Sequence, residues 1–276
     1  MKFAFSSNAF TNFSLLDSIE KISQVGYSGI EIMCDVPHAY PPNMTNEKIN
    51  EIRNTLKKNN LQISNLNAFT LFALGDTYHP SWIETKEEQR EARVIHTANC
   101  IEMANGLGAK NISIEPGGPI LPSENLSIEA ALQLFEQGVK KVLPSAEEKQ
   151  VKILVEPEPG LLIENSKQFV EFIKKFDSQY LKLNFDIGHF YCVNEDPRAL
   201  ILELQDYIEH FHMADIKDRV HYHLIPGLGA IDFQNVFQAI KEIGYDGYIT
   251  VELYPYKDNP IEAAKKSFEY LQSLKY

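Results

Sequence analysis

Short apolar runs recur along this chain, and each of them ends on a residue that can bind a metal ion or move a proton. Apolar runs at roughly even spacing, with helical patterns between them, are typical of buried parallel strands. Side chains that are costly to bury should not recur at strand ends without a reason. In a parallel barrel the active site is assembled at the carboxyl ends of the strands, so the pattern indicates an enzyme. The runs end at Glu31, Glu115, Glu156, Asp186, His212 and Glu252.

Strand and helix signals alternate over the whole chain, which predicts an α/β fold with eight strands and eight helices. The length of 276 residues is close to the roughly 250 residues of one such barrel. No linker, charge block or low-complexity stretch interrupts the alternation, so we expect residues 1–276 to form a single (β/α)8 TIM-barrel domain. The strands are expected at Lys2–Ser6, Ile30–Met33, Leu61–Asn67 and Tyr248–Leu253, and just before Glu115, Glu156, Asp186 and His212.

Composition and charge narrow the choice of partners and compartment. The net charge of −12 disfavours nucleic acid, because most of the surface would repel a phosphate backbone. The cysteines Cys34, Cys100 and Cys192 show no ligand-like spacing and suit a reducing compartment. No apolar stretch is long enough for a signal peptide or a membrane span. We expect a cytoplasmic protein with no nucleic-acid or membrane partner, and homo-oligomer formation stays open.

Four of the strand-end residues suit a divalent cation. Glu156, Asp186, His212 and Glu252 each end a different strand of the second half, so all four would point into the same opening. Three carboxylates and one imidazole are suitable ligands for manganese, magnesium, cobalt or zinc, with coordination positions left for water or substrate. The alternative is that the four residues are unrelated and cap loops or helices, although unpaired buried charges are rare.

Five motifs carry a resemblance to a known superfamily: Val155-Glu-Pro-Glu158, Phe185-Asp-Ile-Gly-His189, His210-Phe-His-Met-Ala-Asp215, Pro226-Gly-Leu-Gly-Ala-Ile-Asp-Phe233 and Thr250-Val-Glu-Leu253. In order and spacing they resemble the xylose isomerase-like barrels, and the resemblance covers nearly the whole chain. This group includes sugar isomerases, keto-sugar 3-epimerases, inosose isomerases and dehydratases, hydroxypyruvate isomerase and the endonuclease IV type of DNA-repair enzyme. The resemblance implies one metal bound by Glu156, Asp186, His212 and Glu252.

The resemblance also implies that Glu156 and Glu252 act as acid and base on opposite faces of the substrate. A proton next to a carbonyl is hard to remove unless the developing enediolate is stabilised, and a chelated metal supplies that stabilisation. Our hypothesis is a divalent-metal-dependent isomerase or epimerase that acts on a small ketose or a cyclic polyol ketone. Two alternatives stay open: a dehydratase of the inosose or dehydroshikimate type, and a barrel that binds a sugar or metal without turning it over.

The family positions also suggest residues around the metal. In the family, the position of His189 touches substrate oxygens or a further metal. In the endonuclease IV branch, Asn67 and Glu115 fall where zinc-binding histidines stand, His223 matches a zinc ligand, and His221 replaces an aspartate. These changes, with the acidic surface, make DNA repair the least favoured function. We predict substrate binding by His189, Glu115, Asn67, His223 and Glu158. A second metal ion, if one binds, is expected at Glu115, His189, His221 and His223.

Three further expectations concern the surroundings of this site. The second substrate-binding glutamate of the keto-sugar epimerases is replaced by Leu161 and Leu162, so the substrate's identity does not follow from the resemblance. His210 is expected in a structural or supporting role, and Glu31 in a loop or behind a metal ligand, while His221 and His223 are expected in a loop. The aromatic candidates for the walls of a sugar pocket are Tyr40, Phe69, Phe72, Trp82 and Tyr254.

Overall fold

Eight parallel strands close into a barrel in the computed structural model, which describes residues 1–121 and 125–274. Each strand pairs with the one before it in the chain, and the first and last strands pair to close the ring. The predicted eight-stranded barrel is therefore confirmed. Its strands are β1 (Lys2–Ser6), β2 (Gly29–Met33), β3 (Gln62–Asn67), β4 (Asn111–Ile114), β5 (Lys152–Val155), β6 (Leu181–Asp186), β7 (Ile208–Met213) and β10 (Tyr248–Val251).

The helices surround the barrel, and polar side chains cap most of their amino-terminal ends. Ser14 and Ser127 accept a hydrogen bond from the first turn of the following helix, as preferred N-caps do. Gly26 ends the first helix with a φ of 117°, a left-handed conformation that favours glycine. The helices are α1 (Leu15–Val25), α2 (Asn46–Lys58), α3 (Glu87–Leu107), α4 (Ile128–Lys149), α5 (Ser166–Ile173), α6 (Ile187–Cys192), α7 (Pro197–Glu203), α8 (Phe233–Glu242) and α9 (Pro260–Ser273).

The short helix α6 is an addition to the eight helices that the sequence predicts. It begins directly at the end of β6, because the Asp186 carboxylate accepts a hydrogen bond from the backbone N–H of His189 at 2.8 Å. A strand that ends in an N-capping aspartate passes straight into a helical turn. This connection brings His189 back over the end of its own strand. None of the described helices is long and apolar enough to span a membrane.

A two-stranded antiparallel hairpin, β8 (Asp215–Lys217) and β9 (Val220–Leu224), stands outside the barrel after β7. Its turn residues Asp218 and Arg219 have φ values of 54° and 57°, which suit a two-residue hairpin loop. His221 and His223 lie in β9, so their expected placement in a loop was wrong. The turn was missed because Asp-Arg is not among the glycine-containing pairs that signal such hairpins.

The Gly-x-Gly sequence that follows the hairpin surrounds a carboxylate. Asp215 accepts hydrogen bonds from the backbone N–H groups of Gly227 and Gly229, both at 2.8 Å. A side chain at Gly229 would place its Cβ 2.2 Å from Asp215 Oδ1, so only glycine fits there. The pair of glycines thus anchors the loop to the base of the hairpin and holds β9 at the rim of the barrel.

Candidate active site

The structure brings together the four side chains that the sequence predicts as metal ligands. Glu156 follows β5, Asp186 ends β6, His212 lies near the end of β7 and Glu252 follows β10. One ligand atom from each lies within 4.8 Å of the others, and all four residues are buried. The parallel strands all end at the same rim, which explains why residues far apart in sequence converge there. We call these four residues the carboxylate cluster.

Both ring nitrogens of His212 face carboxylates. Nε2 lies 2.6 Å from Glu31 Oε2, and Nδ1 lies 2.8 Å from Glu156 Oε1 and 3.5 Å from Glu252 Oε2. Burial alone would lower the pKa of His212, but the charges of Glu156, Glu31 and Glu252 raise it well above its usual value. The surrounding carboxylates thus favour a proton on Nδ1, and a cation bound at this nitrogen would take the place of that proton.

Glu31 lies within β2, so its expected placement in a loop was wrong. The other expectation was that Glu31 lies behind a metal ligand. Its side chain does lie behind His212, because it faces Nε2 of that ring inside the barrel. The side-chain amide of Asn65 donates to its Oε2 at 2.8 Å. Burial would raise the pKa of Glu31, but the charge and hydrogen bond of His212 lead the opposing contributions that lower it to about 2. Glu31 is thus an ionised partner that fixes the orientation of the His212 ring.

Side-chain amides orient the two glutamates of the cluster. Asn184 Nδ2 donates to Glu156 Oε2 at 2.8 Å, and Asn8 Nδ2 donates to Glu252 Oε1 at 2.8 Å. Asn67 Nδ2 lies 3.3 Å from the same oxygen of Glu252. Burial, which penalises the ionised form, is the largest cause of the raised pKa of both Glu156 and Glu252. These carboxylates are therefore more basic than exposed ones.

Asn8 and Asn184 are site residues that the strand-end pattern of acids and histidines does not include. Asn184 stands two residues before Asp186 in β6, so the strand period of two places both side chains on the same face. That spacing could have identified it. Asn8 lies just beyond the end of β1, and a polar residue at a strand end is the same signal that marked the acids.

The donor set fits a divalent cation. Asp186 Oδ2 and His189 Nε2 are buried without a hydrogen-bond partner in the described part of the chain, and they lie 3.9 Å apart. Buried polar atoms are seldom left unpaired, so these two indicate a missing partner. Oxygen ligands with one imidazole suit manganese, magnesium, cobalt or zinc. Glu156, Asp186, His212 and Glu252 are the residues that would hold the ion.

A second group of possible ligands consists of His189, His221 and His223, whose ring nitrogens also lie within 4.8 Å of one another. His221 Nε2 and His223 Nε2 are 3.1 Å apart, and His223 Nδ1 lies 2.9 Å from the backbone oxygen of Glu252. Burial lowers the pKa of His189 to about 3 and that of His223 to about 4. These rings are therefore neutral and can accept a hydrogen bond.

A third histidine-containing group, Glu31, His210 and His212, lies deeper in the barrel. Both ring nitrogens of His210 already have partners: Nδ1 lies 2.8 Å from Asn184 Oδ1, and Nε2 lies 2.8 Å from Thr250 Oγ1. Burial lowers the pKa of His210 to about 3. This ring is a neutral link between two strands, which agrees with the supporting role expected for it.

Glu158 and Tyr78 meet beside His221. The Tyr78 hydroxyl donates to Glu158 Oε1 at 2.7 Å, and His221 Nδ1 lies 3.8 Å from that oxygen. Burial first, and then the nearby charges of Glu156 and Asp186, raise the pKa of Glu158 to about 8. Tyr78 comes from the long loop after β3, and no pattern in that loop distinguished it from the other aromatic residues.

Glu115 belongs to neither the carboxylate cluster nor the group of His189, His221 and His223. Its Oε1 is 3.9 Å from Arg93 Nε and 3.3 Å from the backbone nitrogen of Trp82. Arg93 also donates to the backbone oxygens of Phe69 and Pro80, both at 2.8 Å. Burial raises the pKa of Glu115 to about 7. Glu115 and Arg93 thus hold the loop between β3 and α3, and neither side chain lines the cavity at the carboxyl ends of the strands.

The carboxyl ends of the strands surround a cavity of about 350 Å³. Among the aromatic candidates, Phe69, Phe72 and Tyr254 line this cavity. Trp82 instead packs against Phe135, and Tyr40 stacks on His96. The cavity is of a size that suits a small molecule. The other residues on its wall that sequence analysis had named are Asn67, Glu156, Glu158, His189, His221, His223 and Glu252.

Comparison with known proteins identifies the family. The family model described as xylose isomerase-like TIM barrel matches residues 19–274. An inosose dehydratase from Clostridium beijerinckii is 25% identical over 285 residues, which cover 92% of this chain and 88% of that protein. The crystal structure of a D-tagatose 3-epimerase-like protein matches with a TM-score of 0.81 and 28% identity, over 99% of this chain and 96% of the other.

The crystal structure of an IOLI protein with a bound zinc atom matches in fold, with a TM-score of 0.79 and 20% identity over 98% of this chain and 96% of the other. The chain belongs to the xylose isomerase-like TIM barrel family. The resemblance drawn from the five motifs is therefore confirmed. The chain is accordingly an enzyme of this barrel family.

Proposed function

We propose that this chain is a divalent-metal-dependent isomerase or epimerase that acts on a small ketose or a cyclic polyol ketone. The observation that carries the proposal is the convergence of Glu156, Asp186, His212 and Glu252 at one end of a small cavity. The D-tagatose 3-epimerase-like protein and the inosose dehydratase among the relatives support a sugar or polyol as substrate. The zinc atom in the IOLI structure supports a metal at the cluster.

The proposed cation is held by Glu156, Asp186, His212 and Glu252, and manganese, cobalt, magnesium and zinc are the candidates. When bound, it supplies Lewis-acid polarisation of the substrate carbonyl and stabilises the negative charge that develops as the neighbouring proton leaves. Glu31 keeps the His212 ring in position through Nε2, which leaves Nδ1 directed at the cluster.

Glu156 and Glu252 are the proposed base and acid. They follow strands on different sides of β6 and β7, and each approaches His212 Nδ1, at 2.8 and 3.5 Å. Asn184 tethers one glutamate and Asn8 the other, so the two carboxylates are presented from separate directions. One takes the proton next to the carbonyl, and the other returns a proton to the substrate. Their burial favours proton uptake, as the raised pKa values indicate.

The neutral histidines and the nearby amide are the proposed substrate contacts. His189 Nδ1 donates to the backbone oxygen of Pro157 at 2.9 Å, so Nε2 of the neutral ring, which has no partner in the described residues, can accept a hydrogen bond from the substrate. Asn67, His223 and Glu158 line the same cavity. If a second cation binds, the histidines at 189, 221 and 223 are its proposed ligands, and Glu115 is not part of that group.

Dehydration is the second candidate function, and Glu158 is the observation that favours it. The expulsion of a hydroxyl group needs a proton donor beside the leaving oxygen. Glu158 is buried at the cavity, and its pKa of about 8 leaves it protonated near neutral pH. The inosose dehydratase from Clostridium beijerinckii points to the same chemistry.

The test is solvent exchange. The protein is stripped of metal, reloaded with manganese or cobalt, and incubated in heavy water with ketohexoses, inososes and dehydroshikimate. Deuterium at the carbon next to the carbonyl, together with an epimer or isomer, supports the proposal, while loss of water supports dehydration. Glu156→Gln and Glu252→Gln should lower the exchange rate by about 10²–10⁴-fold but retain substrate binding, and Glu171→Gln on the exposed face of α5 is the matched control. Binding without exchange in the wild type would identify a non-catalytic barrel.

A further inference from the structure

We propose that Thr250 and His210 are positioning residues that fix the orientation of the Glu156 carboxylate. They act through Asn184, within a buried series of hydrogen bonds in which every donor points towards Glu156. The inference rests on the proposed function, because it concerns the carboxylate that is proposed as metal ligand and as acid or base. We call the series the Glu156 tether, and its members are Ser64, Thr250, His210, Asn184 and Glu156.

The tether crosses the interior of the barrel. Ser64 Oγ lies 3.0 Å from Thr250 Oγ1, which lies 2.8 Å from His210 Nε2. His210 Nδ1 lies 2.8 Å from Asn184 Oδ1, and Asn184 Nδ2 lies 2.8 Å from Glu156 Oε2. Asn184 of β6 and His210 of β7 are paired in register, which explains why their side chains meet. All five residues are buried, so these hydrogen bonds are protected from competition with bulk water.

The direction of the tether follows from its end at Glu156. A carboxylate that binds a cation is ionised and can only accept hydrogen bonds, so the amide nitrogen of Asn184 must face it. The amide oxygen then faces His210 and requires a proton on Nδ1 of that ring. In the described part of the chain, neither nitrogen of the buried His210 ring has a carboxylate as its hydrogen-bond partner. The ring is therefore neutral.

The protonation of His210 decides the direction of the two remaining hydrogen bonds. A neutral ring with its proton on Nδ1 has an unprotonated Nε2, which can only accept. Thr250 must therefore donate its hydroxyl proton to Nε2. That proton is not available to Ser64, so the Ser64 hydroxyl donates to Thr250 Oγ1. One tautomer of His210 and one orientation of the Asn184 amide satisfy the whole series.

The Thr250 hydroxyl thus controls how Asn184 is presented to Glu156. Without this donor, His210 is free to carry its proton on Nε2, and its Nδ1 then accepts instead of donating. Asn184 would turn its amide nitrogen towards His210 and its oxygen towards Glu156, where two acceptors repel each other. Neither Thr250 nor His210 is among the residues that line the cavity, so both act on the site through Asn184.

The tautomer of His210 is the first test, and it needs no activity. NMR of the ring nitrogens in the zinc-loaded protein distinguishes a protonated nitrogen from an unprotonated one. We expect the wild-type His210 ring to be neutral with its proton on Nδ1, and we expect both tautomers in Thr250→Val. A proton on Nε2 alone, or on both nitrogens, in the wild type would overturn the inference.

The affinity for zinc is the second test. Thr250→Val removes the hydroxyl and should raise the Kd of zinc about three- to tenfold, the usual contribution of one hydrogen bond. Asn184→Leu removes the contact with Glu156 itself and should raise the Kd about 10–100-fold. Thr250→Ser keeps the hydroxyl and should restore the wild-type Kd. The matched control is Thr97→Val, because the buried Thr97 hydroxyl donates to the backbone oxygen of Arg93 at 3.0 Å within α3.

A purely structural role of Thr250 predicts a different pattern. Thr250→Val would then lower the free energy of unfolding in urea, as Thr97→Val does, while the Kd of zinc stays at the wild-type value in both variants. That result would overturn the inference. If Thr250→Val does not fold, the tautomer of His210 in the wild type decides.

Solvent exchange with D-tagatose, inososes and dehydroshikimate separates this inference from the proposed function. A proton on His210 Nδ1 and weaker zinc binding in Thr250→Val, without exchange in the wild type, would support the tether and contradict the proposed activity. Exchange in the wild type with the His210 proton on Nε2 would support the activity and contradict the tether.

Discussion

Glu115 and Glu156 stand at the same level of two neighbouring strands, yet their surroundings differ. Ile114 of β4 pairs in register with Val155 of β5, and a glutamate follows each of them. Glu156 joins His212 and Asn184 at the cavity. Glu115 lies beneath the loop after β3, where its nearest charged partner is Arg93. The same sequence signal, an apolar run that ends in glutamate, thus produces a candidate metal ligand in one strand and a loop support in the next.

The difference arises outside the two strands. Helix α3 contributes Arg93, which is fully buried and reaches both ends of the loop that carries Phe69 and Pro80. A buried arginine needs a carboxylate partner nearby, and among residues 1–121 and 125–274 Glu115 is the one within 4 Å. On the other side, Asn184 and His212 from β6 and β7 offer Glu156 partners at the cavity. The position of a glutamate at the end of a strand therefore does not by itself decide whether its side chain faces the cavity or supports a loop.

The largest expected effect is a difference in catalytic rate between variants of Glu156 and of Glu115. Glu156→Gln should lower the rate of α-proton exchange by about 10²–10⁴-fold, because a general base is lost. Glu115→Gln should have a far smaller effect, since that side chain is not among those that line the cavity. Exchange rates measured in heavy water by NMR give the comparison. Similar losses in both variants would show that Glu115 takes part in the reaction after all.

The second-largest effect is expected when Glu115 is replaced by glutamine, and it concerns the pH dependence of the free energy of unfolding. The pKa of Glu115 is raised from 4.5 to about 7, so the folded state holds a proton that the unfolded chain releases earlier. The resulting stabilisation is complete below pH 4.5 and is lost as the pH rises through about 7. The shift corresponds to about 3 kcal/mol at most. Glutamine cannot titrate, so the stability difference between wild type and Glu115→Gln should shift in favour of the variant from pH 5 to pH 8.

Urea denaturation at both pH values measures this difference, with Glu171→Gln as the control for an exposed glutamate. Parallel stability curves for the wild type and Glu115→Gln would mean that Glu115 keeps the same proton occupancy in the folded and unfolded chains. The raised pKa of the buried Glu115 side chain would then play no part in its support of the loop.

A smaller effect is expected from Glu31, which supports His212 without belonging to the carboxylate cluster. Glu31→Gln should weaken manganese or zinc binding by about 10–100-fold, the usual cost when the partner behind a metal-binding histidine is changed. Metal titration of the stripped protein measures the change. Asn65→Ala, which removes the amide that donates to Glu31, should weaken binding less. Unchanged affinity in Glu31→Gln would indicate that the His212 ring is fixed by its other neighbours.

Most of the barrel could be predicted from the chain, because buried parallel strands are continuous apolar runs and the helices between them carry clear caps. The residues at Glu156, Asp186, His212 and Glu252 could be predicted to converge for the same reason. The hairpin β8–β9, the short helix α6 and the direction of Glu115 could not. Each depends on contacts from a distant segment or on a local backbone conformation: Arg93 for Glu115, the positive φ of Asp218 and Arg219 for the hairpin, and the Asp186 cap for α6.

The most direct test of a metal centre at the carboxylate cluster is the metal content of three proteins, measured by mass spectrometry after stripping, reloading with manganese and gel filtration. The wild type and Glu115→Gln should each retain one tightly bound ion per chain, while Asp186→Ala should lose it. Asp186 belongs to the carboxylate cluster, whereas Glu115 does not. Retention of the ion by Asp186→Ala, or its loss from Glu115→Gln alone, would contradict the assignment of the metal to this cluster.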